Sequence, residues 1–286
     1  MLAGCQQRTR DREEEHADQV KPQKDNVDGN QVDGFFLPAT LSRCWLNVTL
    51  APMNSPVLIA CAHGTRNAEG QAAIRHVMAE IEALRPGLRV LEAYVDVQEP
   101  ELSGVVEGLP EGTAAVVVPL LLSTGFHIKV DVPKAIKSRP EVVAARPLGP
   151  DPRLAELLAA QLRAAGLTEH DGVLLAAAGS SLPDGSVDSE EQARQLAELL
   201  PNKVRVAYGA SAKPTVPDGV ASLRAELAED GGTGRVFVSS YLLATGYFHD
   251  QLAKAGADIV TAPLLPSPVL AEIALERYDA VLARAS

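Results

Sequence analysis

The chain has 286 residues, 46% of them hydrophobic but only 4% aromatic, and a formal charge of −11 at pH 7. That length leaves room for two domains with cores of their own, and the acidic balance excludes the basic footprint of a nucleic-acid binder. No apolar run approaches the ~20 residues of a membrane span, and the scattered Cys5, Cys44 and Cys61 form neither a disulfide framework nor a CxxC metal site, which fits a reducing cytoplasm.

Leu2-Ala3-Gly4-Cys5 has the look of a lipoprotein acylation site but lacks the charged and apolar segments that must precede one. Residues 1–52 are polar and charge-mixed without a sustained apolar period, and are expected to be a disordered extension. Met53 is the expected functional start, while Phe35-Phe36-Leu37 and Trp45-Leu46 are the residues by which the tail could instead dock.

From Val57 onward, apolar strands alternate with amphipathic helices, the pattern of parallel α/β architecture. Val57–Ala62 reads as a strand; Ile74, Val77, Met78, Ile81 and Leu84 recur at helical steps after it. Residues 89–95 read as a second strand, 99–109 as a short helix, 114–122 as a strand buried on both faces, and 141–145 as a fourth strand. Asp151-Pro152 then starts a helix with an acidic cap and proline at its first position. The second half repeats this order, with strands at 172–178, 203–208, 235–243 and 257–262 and helices at about 188–200 and 216–229.

The repetition extends to particular residues. Leu121-Leu122-Ser123-Thr124-Gly125-Phe126-His127 is echoed by Leu242-Leu243-Ala244-Thr245-Gly246-Tyr247-Phe248-His249, and Asp151-Pro152 by Ser267-Pro268. A repeat of about 115 residues is too long for a solenoid unit and suits a small domain. The expected organisation is therefore 53–166 as one domain and 167–286 as its repeat, each a four-stranded parallel sheet flanked by helices. In such sheets ligands bind beyond the carboxyl ends of the strands.

Chemistry is concentrated in the first copy. His63-Gly64-Thr65-Arg66 follows the first strand directly, Asp96 ends the second, and His127 follows the third within Ser123-Thr124-Gly125-Phe126-His127-Ile128-Lys129-Val130-Asp131. Each has a plainer reading: His63 in a polar turn, Asp96 as a turn former, Asp131 as a cap of the next helix. Aligned on the strand-one echo, Gly179 takes the place of His63; aligned on Ala207-Tyr208, Ala210 takes that of Asp96; and in the third-strand echo Phe248 takes that of His127, with His249 one position later. His76 reads as a solvated helix residue, and no GxGxxG dinucleotide fingerprint opens a helix after a strand.

An apolar strand followed by His-Gly-Thr-Arg, an aromatic-x-carboxylate ending strand two, and a leucine-rich strand followed by Gly-x-His resemble the sirohydrochlorin chelatases, in their long fused two-repeat form. The resemblance covers about 57–284. It implies two tandem Rossmann-like chelatase domains and ATP-independent insertion of Fe²⁺ or Co²⁺ into a tetrapyrrole, with no organic cofactor. By the same resemblance His63 and His127 hold the metal and, with Asp96, carry the catalysis, Asp96 standing where the family commonly has glutamate. Arg66, Ser123, Thr124, Gly125 and Lys129 become the candidates for holding the substrate, with Lys134 and Lys137 as further cations for its carboxylates. The cysteine- or histidine-rich tails of some members are missing, so no iron–sulfur cluster is expected.

The chemistry accounts for the residue types. Insertion removes two pyrrole N–H protons and strips water from the ion, and a neutral imidazole can accept a proton or ligate a divalent metal. The expectation is one site per chain, in a cytoplasmic monomer built as a pseudo-dimer, in the cleft between its halves. The second half would offer Tyr247 and Phe248 as an apolar wall, with His249 a possible extra contact. Iron insertion for siroheme is placed ahead of cobalt insertion for cobalamin. A non-catalytic tetrapyrrole or metal carrier would need fewer ionisable groups, and an exported sugar- or phosphate-binding protein would need an export signal.

Overall fold

Two parallel sheets with the same strand order, each grown outward from a wholly apolar first strand, make up the architecture. The computed structural model describes residues 55–229 and 234–285; the expectations for residues 1–52, and for Met53 as the start, lie outside them. In the first sheet β1 (Val57–Ala62) is flanked by β2 (Val90–Tyr94) and β3 (Ala115–Pro119), with β4 (Val142–Ala144) outermost, giving the order β2-β1-β3-β4. In the second, β5 (Gly172–Ala177) is flanked by β6 (Val204–Tyr208) and β7 (Val236–Tyr241), with β8 (Ile259–Val260) outermost. The expected fold class is present in full.

Strand periodicity decides which core each side chain enters. Along β1, Leu58, Ala60 and Ala62 enter a central core, while Val57, Ile59 and Cys61 enter an outer one. Along β5, Val173, Leu175 and Ala177 join that same central core, and Leu174 and Ala176 face a second outer core. A strand apolar at every position thus serves two cores at once, and the two halves share the middle one.

The helices are α1 (Ala68–Leu84), α2 (Leu102–Glu107), α3 (Val132–Ile136), α4 (Pro152–Ala164), α5 (Pro183–Glu198), α6 (Val216–Glu229), α7 (Tyr247–Leu252) and α8 (Val269–Ala285). The Asp151 side chain accepts from Arg153 N–H at the start of α4, and Pro152 stands at its first turn, as expected. Helix α5 begins five residues before the expected 188, because Pro183, fixed at a helical φ, sits in its first turn. Several other elements are shorter than expected at their ends, β8 and α2 most of all.

The last helix of each half crosses to the other. Helix α4 packs on α5 and β7, while α8 packs on α1 and β3. The expected boundary at 166/167 falls beside Gly166, which has a positive φ of +84, but in space α4 covers the second sheet. Arg277 of α8 is 1% exposed and donates to Pro147 O, Leu148 O and the Asp151 carboxylate (2.7 Å), so it ties the crossing together. Arg85 of α1 forms a bidentate pair with Asp279 of α8. Among the described residues no helix is long and apolar enough to cross a membrane.

At the first strand the two halves correspond one residue away from the alignment read along the chain, while Asp96 still matches Ala210 and His127 still matches Phe248. Ala62 pairs with Tyr94 at the end of one ladder and Ala177 with Tyr208 at the end of the other. Gly64 and Gly179 then occupy the same turn, at φ +96 and +93, each pressed against a carbonyl, of Asp96 and Ala210 respectively. His63 therefore corresponds to Ala178, not Gly179. Apolar residues cannot reveal such a shift in a strand buried on both faces, whereas the glycine turn can.

Candidate functional site

Three loops at the carboxyl edge of the first sheet bring the candidate residues together. His63 leaves β1, and Gly64 turns the chain so sharply that a Cβ there would stand 2.2 Å from the Asp96 carbonyl. Only glycine permits both that φ and that approach. The Asp96 N–H donates to His63 O at 3.1 Å, which closes the first two loops on each other. The Asn67 side chain accepts from Gly70 N–H at 2.8 Å and caps α1.

His127 opens a π-helical turn, His127–Asp131, that runs into α3. Such turns are wider than an α-helix and recur at functional sites. Asp131 has helical backbone angles and does not cap α3. Its Oδ2 instead lies 2.6 Å from His127 Nδ1. His63 Nδ1 lies 3.2 Å from Gly64 O. Carbonyl and carboxylate oxygens can only accept, so each ring carries a hydrogen on Nδ1, and the neutral form of each presents its lone pair at Nε2.

The rings themselves meet edge to face, with centroids 4.7 Å apart and planes at 88°. Phe126, 45% exposed, stands against His127 with centroids 6.1 Å apart. Among the described residues no three His, Cys, Asp or Glu side chains converge as a metal cage. Cys61 points into the outer core, where burial pushes its thiol up to about 12.

The other expected site residues are dispersed around this pair. Asp96 is exposed and its carboxylate accepts from Val97 N–H at 2.8 Å, so the turn-forming reading describes its side chain in this structure. Arg66 is exposed and forms no ion pair among the described residues. Lys129 reaches across to Asp184 of α5 at 2.9 Å. Thr124 N–H donates to the Asp188 carboxylate at 2.6 Å, Gly125 lies against Ser180, and Ser123 is half-buried beside them. Lys134 and Lys137 line an open cavity of about 550 Å³ with Asp131, Glu101 and Glu107.

The second half contributes differently from expectation. Phe248 is packed into the outer core against Gly209 rather than forming a wall, while Tyr247 is 73% exposed. His249 lies with Nε2 3.2 Å from Thr261 O, the backbone of its own half. The shift of one residue relative to His127 turns its ring away by about a quarter-turn of helix. His76 is exposed and pairs with Glu80 on α1, as a solvated helix residue would. Sequence reasoning passed over Asp188, Tyr241 and Gln192, which contact the His127 loop or its neighbour from the other half.

The CbiX family model matches twice, over residues 57–165 and 172–281. The chain belongs to the CbiX family. The two matched stretches coincide with the two sheets, so each half of this family member is one copy of the same unit. A sirohydrochlorin ferrochelatase of Priestia megaterium is 30% identical over 216 residues, 69% of this chain and 76% of that protein. A sirohydrochlorin cobaltochelatase of Sulfolobus acidocaldarius is 29% identical over 106 residues, 35% of this chain and 85% of that protein. Among solved structures, SirB from Bacillus subtilis with Fe³⁺ shares the fold at a TM-score of 0.66 and 22% identity, over 81% of this chain and 97% of that one.

Proposed function

We propose that this CbiX-family protein is a sirohydrochlorin chelatase, a lyase that inserts Fe²⁺ into sirohydrochlorin at the carboxyl edge of the first sheet, facing the second half. The observation that carries this reading is the His63–His127 pair, two imidazoles in edge-to-face contact with both Nδ1 atoms already engaged. Each Nε2 lone pair can replace a water on the incoming ion or accept a pyrrole proton. Asp131 holds His127 in that tautomer, as carboxylates commonly do for metal-binding histidines. Asp96, placed beside His63 by its backbone, takes up released protons from its exposed position. Arg66, Lys129 and the Ser123-Thr124-Gly125 loop hold the substrate's carboxylates, and exposed Phe126 lies against the macrocycle.

Cobalt is the second reading, favoured by the likeness to a cobaltochelatase. The donor set does not separate the metals, because imidazole suits both. One experiment tests both readings: the protein is mixed anaerobically with sirohydrochlorin and either Fe²⁺ or Co²⁺, and the metallated absorption band is followed. Faster insertion of Fe²⁺ than of Co²⁺ at matched concentration is expected. No acceleration over the protein-free rate with either ion would refute the chelatase reading.

A further inference from the structure

The second half lacks the histidines, yet it carries a polar bracket that the first half does not. Strand register and helix burial place Asp188, Gln192 and Tyr241 where the first half has Ala73, Val77 and Leu120. Three apolar positions in one copy are thus polar in the other. All three polar side chains reach the first half. The Asp188 carboxylate accepts from Thr124 N–H at 2.6 Å. The Tyr241 hydroxyl donates to Leu122 O at 2.8 Å, with Gln192 Oε1 3.2 Å away. Gln192 Oε1 accepts from Asp151 N–H at 3.0 Å, just after the Gly149-Pro150 segment.

The first half is shaped to receive this bracket. A Cβ on Gly149 would lie 2.0 Å from the Tyr241 oxygen, so the phenol occupies the space that glycine leaves. The corresponding residue in the second half is Leu265, which precedes Pro266 as Gly149 precedes Pro150. Gln192 and Tyr241 are fully buried, at 0% and 1% exposure, where a polar group without its partner is costly. A buried apolar side chain would pack as well and cost less, so packing alone does not explain these residues.

We propose that Asp188 and Tyr241 are positioning residues for His127: they fix the backbone of the loop at 122–124, three to five residues before the ring, from the opposite half. This rests on the chelatase reading of the histidine pair. It gives the duplicated half a task, since a loop at the edge of the first sheet is held by groups its own half does not possess. Charge is not the essential feature of Asp188; an acceptor for Thr124 N–H is.

The test joins hydrogen exchange with kinetics on the full chain. In Asp188→Leu and Tyr241→Phe, amide exchange in peptides spanning 121–131 should quicken about tenfold, and kcat for insertion should fall about 10–100-fold, with KM for metal little changed. Asp188→Asn, whose amide oxygen still accepts, should restore slow exchange and most of kcat. Unaltered exchange at 121–131 in both Asp188→Leu and Tyr241→Phe would overturn the inference whether or not the protein turns over. So would faster exchange with wild-type kcat, or an Asp188→Asn variant as impaired as Asp188→Leu. Failure of the wild-type protein to insert metal counts against the chelatase reading instead, and leaves exchange to decide the bracket.

Discussion

Asp131 and His127 face each other across one π-helical turn, carboxylate to Nδ1 at 2.6 Å. The aspartate does for this ring what Gly64 O does for His63, and it does so from the same short segment that supplies the ring itself. Removing it frees the imidazole to rotate or to change tautomer. Asp131→Ala should lower the rate of metal insertion about 10–100-fold, the usual cost of losing such a partner. Asp96→Asn, whose side chain only accepts from Val97 N–H, should cost less. Initial rates at saturating metal would compare the two, and a larger loss at Asp96 would reverse these assignments.

His63→Ala and His127→Ala should each remove most insertion activity while leaving the far-ultraviolet circular dichroism and melting temperature close to wild type. Both rings are only half-buried and lie past strand ends, where little packing depends on them. Activity near wild type in either variant would take that ring out of the chemistry.

Gly64→Ala should impair activity more than it lowers stability. Alanine at φ +96 is strained, and its Cβ would have to displace the Asp96 carbonyl from 2.2 Å. The loop carrying His63 must therefore move away from β2. A variant with full turnover would show that this turn does not set the ring.

His249→Ala should keep substantial activity, because the ring bonds Thr261 O in its own half. A stability loss of about 1 kcal/mol is expected for that hydrogen bond. Denaturant titration alongside the insertion assay would measure both, and an inactive but folded variant would place His249 in the site.

The buried Asp151–Arg277 pair should dominate stability at the helix crossing. Burial raises the Asp151 pKa, but the hydrogen bonds from Arg153 and Arg277 outweigh it and hold the carboxyl below its ordinary value. Its stabilising contribution is present above that ordinary value, about 3.9, and is lost as pH falls through the lower folded one, since the unfolded state binds the proton first. Arg277→Ala, which removes one of the two guanidinium partners of the buried Asp151 and takes the side-chain donor from Pro147 O and Leu148 O, should cost about 3–5 kcal/mol. Chemical denaturation at pH 7 would show it, and a loss under 1 kcal/mol would mean that the existing Arg153 pair, with water in the vacated space, satisfies Asp151 without Arg277.

Much of this molecule is legible along the chain. The duplication, the parallel sheets and the edge at which His63, Asp96 and His127 lie follow from local pattern, because apolar period and cap residues act over a few residues. Pairing His127 with Asp131 was within reach of the sequence too, since a spacing of four on a helical turn puts the two side chains on one face; the capping reading competed with it, and only the backbone angles exclude that.

What the chain could not disclose are relations between residues far apart in it. The exchange of α4 and α8 between sheets, the bracket from Asp188 and Tyr241, and the correspondence of His63 with Ala178 depend on how two faces of similar apolar character choose each other. Hydrophobic burial is non-directional, so it tells that α4 must be covered and not by which sheet. Directional contacts such as Arg277 to Asp151 and Tyr241 to Leu122 O, both spanning more than a hundred residues, make that choice, and they exist only once the halves have docked.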